Sequence, residues 1–282
     1  MRHIKDIAIS FLSTDNKLIK EDYFLEAEYY LKTLDIDNLT PAKILKNLGL
    51  SYFLGRNTSS KIEKGLKKDI DTYILYLSAS NNAGFELCPN KTIDCAKACL
   101  VEAGRAGMES QTGNIHVSRL VKSWIIKFRK DIAFKLIQAD INRAKKRGRK
   151  FAIRLNGTSD IAFKNIINAF NGVQFYDYTK NLNRALKSNK NHHITFSFSG
   201  YNIQDCLKAA KNKNNIAVPI IADDFEAGLK LHNVFNGDDT DLRYLDKQKG
   251  QICLLKVKGN NIKKSAFIMN LKELKQLSEL IG

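Results

Sequence analysis

The sequence lacks the features of a membrane or secreted protein. No apolar run in its 282 residues approaches the roughly 20 residues that a membrane-spanning helix needs. The first residues, Met1 to Asp6, contain nothing like the apolar core of a signal peptide. We therefore predict a cytoplasmic protein with no membrane partner, long enough for one large domain or a domain with an extension.

Acidic residues are scarce relative to basic ones. The chain has 29 Asp and Glu against 46 Lys and Arg, which gives a formal net charge of +17. Such a charge favours an anionic partner, most commonly nucleic acid. The basic residues are densest at 143–150 and 208–213. A general lysine bias, as in proteins from AT-rich genomes, is the alternative explanation.

Cysteines are too few, at five, for a disulfide framework. Three of them lie close together as C-x6-C-x3-C, namely Cys88, Cys95 and Cys99. Clustered cysteines in a reducing compartment bind metal more often than they pair. The other two, Cys206 and Cys253, lie far away in the sequence, and we expect both to be small core residues.

Three thiolates are one ligand short of a structural zinc site, which takes four protein ligands. A [4Fe–4S] cluster held by three cysteines instead leaves one iron free to bind a reactant. His116 follows the cysteines along the chain and would complete a Cys3His zinc site. The same residue also suits a polar position at the start of a helix, so both metals stay open.

The pattern after Asp71 alternates strands and helices, which indicates a parallel α/β sheet. Six strands are predicted at 73–77, 151–155, 173–178, 194–198, 216–221 and 252–257, with a long helix at 117–146. No G-x-G-x-x-G follows any strand, which argues against a dinucleotide-binding Rossmann fold. We favour a (βα)6 partial barrel at 61–282 over an open doubly wound sheet, with an N-terminal helical extension at 1–60.

Polar residues concentrate where these strands end, the edge at which such sheets carry their active sites. They are Arg154, Asn156, Thr158, Ser159 and Asp160 after the second strand, Tyr176, Asp177 and Lys180 at the third, Ser197 and Ser199 at the fourth, and Asp241 and Arg243 before the last. Individually, turns and helix caps explain several of them. Because they converge with the three cysteines, we predict one functional site.

Roles within that site follow from charge. Arg154 needs an anionic partner, which is Asp177, Asp241 or a bound anion. Asp177 and Lys180 are either an acid–base pair or a salt bridge. A further alternative is a hydrolase or phosphoryl-handling enzyme that uses Asp241 and its neighbours Asp238 and Asp239, with or without magnesium. The two histidines at 192 and 193 precede the fourth strand and are predicted to be structural.

The segment from about residue 61 to 259 resembles the gene product 88 domain family of phages. The resemblance rests on the three cysteines with Pro89 and Leu100, and on the segments 75–78, 104–105, 154–160, 175–180, 237–238 and 241–243. The resemblance implies a phage or mobile-element protein, and it implies no particular activity.

The placement of the thiols is also similar to that in radical S-adenosylmethionine enzymes, whose three cluster cysteines follow the first strand of a (βα)6 partial barrel. Their usual spacing is C-x3-C-x2-C, and Ala98 replaces the aromatic residue before the last cysteine. The likeness implies a [4Fe–4S] cluster on Cys88, Cys95 and Cys99, S-adenosylmethionine on its free iron, and an electron donor as a partner.

Two functional hypotheses result. The first is an iron–sulfur enzyme of radical-SAM-like architecture whose substrate is a nucleic acid or a small metabolite. Its catalytic residues would be Asp177, Lys180, Asp241 and Arg243, and the other polar residues of the strand ends would line the cofactor volume. The second is a zinc-stabilised nucleic-acid-binding phage protein whose basic 143–150 segment contacts phosphates. The sequence does not predict an oligomeric state.

Overall fold

Three helices form the N-terminal part of the chain. The computed structural model describes residues 2–56, 68–97, 99, 105–257 and 265–282. The helices are Ile4–Leu12, Lys17–Thr33 and Pro41–Asn47. Asn16 caps the second by accepting from two backbone amides, and Thr40 caps the third, which has a proline in its first turn. The second helix begins at Lys17 because Asn16 supplies the cap.

The remainder is built on an eight-stranded sheet, which confirms the α/β class. The strands are β1 Gly55–Arg56, β2 Ile70–Ile74, β3 Lys150–Arg154, β4 Gln174–Thr179, β5 His192–Ser197, β6 Ile216–Ile220, β7 Val234–Asn236 and β8 Ile252–Lys256. Their order is β1-β2-β3-β4-β5-β6-β8-β7, and all pairs are parallel except β1 with β2. All six predicted strands are present; the two additional ones have only two and three residues.

The strand predicted at 73–77 is observed at 70–74, three residues earlier in the chain. Its ladder ends at Ile74, and the chain continues extended, with the Leu75 amide donating to the Arg154 carbonyl at 2.9 Å. Apolar residues continue to Leu77, so hydrophobicity alone does not mark the end of the ladder.

The long helix predicted at 117–146 is two helices, Asn114–Phe128 and Lys130–Lys146. Arg129 breaks it with a non-helical backbone at φ −138° and ψ 70°. Its guanidinium donates to the carbonyl oxygens of Leu31 and Leu34 at 2.6 and 2.8 Å. The break therefore satisfies the free carbonyl groups at the end of an N-terminal helix.

The other helices lie between strands, except the last, which follows β8. They are Ile93–Lys97, Arg105–Met108, Lys164–Ala169, Leu182–Leu186, Ile203–Lys211, Ala222–Gly228 and Leu271–Ile281, with a 3-10 turn at Arg243–Leu245. Because successive parallel strands from β2 to β6 advance in one direction, right-handed crossovers place their helices on one face of the sheet. None of the helices in the described residues is long and apolar enough to cross a membrane.

The helix-covered face holds two large hydrophobic cores. One joins the N-terminal helices, the helices at 114–146 and strands β2 to β4. Trp124 is fully buried in it, edge-to-face with Phe11 at 5.5 Å, and its indole N–H donates to the Ala83 carbonyl at 3.0 Å. The second core packs β5, β6 and β8 against the helices that follow them.

The opposite face of the sheet, which we call the inner face, is covered differently. Side chains alternate along a strand, so Ala152 and Tyr176 point away from the helices. They form a small apolar cluster with Ile70 and with Leu242 and Tyr244. The last two belong to the loop between β7 and β8. That loop therefore crosses the inner face and buries it.

Candidate functional site at the carboxyl end of the sheet

The loops that follow β2, β3, β4 and β5 meet at the carboxyl end of the sheet. Five chemically active side chains lie among them, and we call them the carboxyl-end cluster. They are Cys88, Cys95, Cys99, Asp160 and Lys180. Parallel strands present their carboxyl ends at one edge, so the topology itself brings together residues that are far apart in the sequence.

Gly157 lets the loop after β3 approach the segment after β2. A Cβ at this position would lie 2.6 Å from Ile74 Cγ2 and 2.9 Å from the Leu75 carbonyl oxygen. The Gly157 amide donates to that oxygen at 3.0 Å. The next residue, Thr158, donates its hydroxyl to the Leu77 carbonyl. Only glycine allows this close contact, which positions Asp160 beside the cysteine loop.

Asp160 joins three loops through its own hydrogen bonds. Its amide donates to the Leu87 carbonyl at 2.8 Å, next to Cys88. Its carboxylate accepts from the Thr179 hydroxyl at 2.7 Å and from the Lys180 amide at 2.8 Å, and it pairs with Arg184. The buried carboxylate is thereby satisfied, so its described contacts orient the neighbouring groups.

Lys180 interacts electrostatically with two of the thiols. The charges of Cys95, Asp160 and Cys88 act on its ammonium group, which lies 5.9 Å from the centre of the Phe267 ring. Burial alone would lower the pKa of Lys180, but these three neighbours together raise it. Burial raises the pKa of Cys88 to about 11, although the Lys180 charge opposes that rise. Lys180 is therefore a cation held where a thiolate or another anion would develop.

Arg119 is a member of this site that the sequence did not reveal. It lies on the helix Asn114–Phe128, with its guanidinium carbon 5.5 Å from the centre of the Tyr76 ring and near Cys99. Burial lowers its pKa. Among the described residues, its buried Nε and Nη1 atoms have no hydrogen-bond partner. An arginine inside a helical run has no sequence signal of its own, since only the fold brings it to the thiols.

The cysteine loop is also held from its other side. Thr92 accepts from the Cys95 amide at 3.1 Å and donates to the Ser199 carbonyl at 2.8 Å, so it links the cysteine helix to the loop after β5. The Tyr201 hydroxyl donates to Asp94 at 3.1 Å. A cavity of about 450 Å³ opens beside this helix, lined by Pro89, Lys91, Thr92, Ile93 and Ala96.

The described residues include no set of three or more Cys, His, Asp or Glu side chains gathered as a metal site. This holds for the three cysteines and for the aspartates at 238–241. Asp238 accepts from the Lys256 amide and Asp239 from the Asn236 side chain, both at the surface. His116 contacts the Ala106 carbonyl through Nε2 at 2.9 Å, in keeping with its position near the start of a helix.

Other predicted site residues lie on the inner face instead. Arg154 pairs with Asp241 at 3.3 Å, which confirms one of its two predicted partners. The Tyr176 hydroxyl donates to Asp241 at 3.0 Å. Arg243 is only 1% exposed and donates to the Cys253 sulfur at 2.6 Å. These residues form a buried polar network beneath the loop that crosses the inner face.

A third group lies toward the helices. Asp177 accepts from the Asn156 amide at 2.9 Å and from its side chain at 3.2 Å, and lies 3.4 Å from His192. Ser159 donates to the Asn156 side chain at 2.9 Å. Asp177 thus has other partners than Lys180, because alternation along β4 directs it to the face opposite Tyr176. The two do not form the predicted pair.

The two serines after β5 take different positions. Ser197 pairs with Ala217 across β5 and β6, and its carbonyl accepts from the Asn202 side chain at 3.0 Å. Ser199 receives the bond from Thr92 and its amide donates to Asn202 at 2.8 Å. Of the predicted lining residues, Thr158, Asp160 and Ser199 therefore adjoin the thiols.

Comparison with known proteins supports one assignment. A family model described as Gene product 88 matches residues 52–270, which is most of the chain, and confirms the family predicted from the sequence. No curated protein and no solved structure matches the chain. The match leaves out the three N-terminal helices.

Proposed function

We propose a function on the premise that this chain belongs to the gene product 88 family, whose model covers residues 52–270. Its carboxyl-end cluster is a thiolate centre in which Cys88, Cys95 and Cys99 hold a [4Fe–4S] cluster. The observation that carries the proposal is the convergence of the three loops at Asp160. Its amide donates to the Leu87 carbonyl beside Cys88, and its carboxylate accepts from the amide of Lys180, whose ammonium interacts electrostatically with Cys95 and Cys88.

The donor set fits such a cluster in its chemistry. Three half-buried thiols lie on one loop, and the positive charges of Lys180 and Arg119 lie beside them to offset thiolate charge. The thiols are not gathered at ligand distances in the described structure, so the cysteine loop would close around the cluster. When bound, the cluster supplies one-electron chemistry, and an electron donor is then a required partner.

The residues around the thiols hold the loops in place and orient their polar groups. Asp160 fixes the backbone beside Cys88 and, through Thr179 and the Lys180 amide, the start of the loop after β4. Lys180 stabilises anionic sulfur. Arg119, whose described surroundings leave two of its nitrogens without hydrogen bonds, is free to bind a carboxylate or phosphate of a ligand.

S-adenosylmethionine is the proposed second ligand, because the thiols follow the first parallel strand as they do in radical S-adenosylmethionine enzymes. The strand order β2-β3-β4-β5-β6-β8 supports a (βα)6 partial barrel, because each crossover advances in one direction. The inner-face network of Arg154, Tyr176 and Asp241 would then form the floor of the barrel below the cluster. Nucleic acid is the proposed partner or substrate, given the net charge of +17.

The test is anaerobic purification followed by iron, sulfide and zinc analysis. We expect a brown protein with about four irons and four sulfides per chain. Cys95→Ala should lose the metal, whereas Cys206→Ala, a buried cysteine in the second core, should keep it. Lys180→Met should lower cluster retention without altering the thiols.

Colourless protein that carries about one zinc per chain would overturn the iron–sulfur proposal. It would favour the zinc-stabilised alternative, in which the cysteine loop is structural. Full metal content in the Cys95→Ala variant would show that the metal does not bind at the carboxyl-end cluster.

A further inference from the structure

A second cavity lies at the opposite, amino end of the sheet. Its volume is about 300 Å³, at the lower end of the range for small-molecule sites. The lining residues precede or begin strands β4, β5, β6 and β8, and they are Gln174, Ser188, Asn189, Lys190, His192, His193, Ile194, Asn212, Lys213, Asn214, Tyr244 and Lys249. The lining is polar and basic, with no acidic side chain in it.

Three lysines give this cavity its charge. Lys190, Lys213 and Lys249 are exposed, and none forms an ion pair within the part of the chain that the structure describes. The nearby carboxylate of Asp246 approaches Arg243 at 3.6 Å and also interacts electrostatically with Lys249. Three like charges around one opening repel each other unless an anion binds between them.

The backbone and one side chain support a ligand at this place. Lys213 has φ +65°, a left-handed conformation that costs a non-glycine residue about 1 kcal/mol or more. Two bonds from Asn214 to the Ala185 and Ile194 carbonyls hold that turn at 3.2 and 3.1 Å. The His193 Nε2 atom is buried and has no hydrogen-bond partner among the described residues.

Positive charge continues along the same edge. Lys150 begins β3, and β3 lies two strand spacings, about 10 Å, from β5. Lys145, Lys146 and Arg147 precede it and are exposed. Arg149 is the exception, since Asp69 and Asp71 neutralise it. A row of cations from β3 to β8 is longer than one phosphate group, which favours a polymer.

We infer that the amino end of the sheet binds the backbone of a nucleic acid, with one phosphate seated among Lys190, Lys213 and Lys249. The inference names a surface for the proposed nucleic-acid partner and does not depend on the metal centre. It places nucleic-acid binding and thiolate chemistry at opposite ends of one sheet.

The experiment measures binding of fluorescently labelled DNA duplex, single-stranded DNA and single-stranded RNA by anisotropy over a range of salt concentrations. The pocket variant is Lys190→Gln, Lys213→Asn and Lys249→Gln; asparagine tolerates the left-handed backbone. We expect at least a tenfold loss of affinity, and for duplex a salt slope reduced by about one for each phosphate contact removed.

The matched control removes the same charge elsewhere, by Lys17→Gln, Lys43→Gln and Lys46→Gln on the N-terminal helices, where all three are exposed. An equal loss in the control would overturn the inference in favour of net charge alone. Absence of binding by the unaltered protein would overturn it as well. So would displacement of the labelled nucleic acid by an equimolar nucleoside monophosphate, which would mark a small-ligand site.

Two further variants separate the possible failures. Lys190→Arg, Lys213→Arg and Lys249→Arg together keep the charge and should keep the affinity, so a loss there would point to damaged folding. Cys95→Ala should bind nucleic acid as the unaltered protein does. If this variant binds nucleic acid without metal, the amino-end surface is supported independently of the proposed metal centre.

Discussion

The two ends of the parallel sheet differ in how their polar side chains are held. At the carboxyl end, Asp160 and Thr92 tie loops together through hydrogen bonds across the strands. At the amino end, Lys190, Lys213 and Lys249 extend into solvent around a cavity. One end is built mainly from hydrogen-bonded polar groups in fixed geometry, and the other from exposed lysines that form no ion pair within the described residues.

This difference suits the two ends of the sheet to different functions. Fixed, partly buried donors and acceptors suit chemistry on a small reactive group, because they need no rearrangement during the reaction. Solvated lysines suit a polyanion, whose binding draws on released counterions more than on geometry. In a parallel sheet the loops of the two ends are separate, so each end can serve its own purpose.

The largest loss of folding stability is expected from substitution of Asp241, which lies on the inner face of the sheet. Its carboxylate accepts from Tyr176 and pairs with Arg154, and it is 5% exposed. Asp241→Ala leaves the half-buried Arg154 and the buried Tyr176 hydroxyl without their shared acceptor and should lower the free energy of unfolding by about 3–5 kcal/mol. Urea denaturation measures this. Asp239→Asn, an exposed residue of the same loop, should change it by less than about 0.5 kcal/mol; similar losses in both variants would contradict the buried network.

At the carboxyl end, Asp160→Asn should lower the free energy of unfolding by about 2–3 kcal/mol, because Arg184 loses its buried partner. It should also lower metal retention, since Asp160 positions the backbone beside Cys88 and Lys180. Denaturation and metal analysis on the same preparation test both effects. Unchanged nucleic-acid affinity is the control, and a parallel loss of that affinity would show that the two ends are not independent.

How far the sequence predicts this site depends on the kind of signal. The cysteine spacing and the polar residues at strand ends correctly indicate that loops after β2, β3 and β4 meet, because parallel strands end at one edge. The same signals do not separate Asp177 from Lys180. That separation follows from alternation along β4, which directs Asp177 toward Asn156 and His192.

Other features have no local signal in the sequence. Arg119 lies in an amphipathic helix, and only tertiary packing brings it to Tyr76 and Cys99. The break at Arg129 depends on carbonyl groups about 95 residues away in the chain. The amino-end cavity is assembled from short loops before several strands, each of which is an ordinary polar turn by itself.

His193 gives a smaller, pH-dependent effect at the amino end. Burial, with the charges of Lys249 and Arg243, lowers its pKa to about 4 from 6.5. Between these values the unfolded chain binds more protons than the folded one, so stability is lost as pH falls from 6.5 to 4 and is unaffected above. Over that pH range, the free energy of unfolding of the His193→Gln variant should therefore fall by about 2 kcal/mol less than that of the unaltered protein. Urea denaturation at each pH measures this. Identical pH profiles for both proteins would contradict the burial of this imidazole.

The smallest effect is expected from the pocket variant with Lys190→Gln, Lys213→Asn and Lys249→Gln. Its free energy of unfolding should stay within about 0.5 kcal/mol of the unaltered protein, because solvated side chains are replaced and mutual repulsion is relieved. Urea denaturation beside the N-terminal lysine control measures this. A loss above about 2 kcal/mol would mean that these lysines pack as part of the fold. The amino end would then resemble the carboxyl end, and the lost affinity would reflect misfolding instead of missing phosphate contacts.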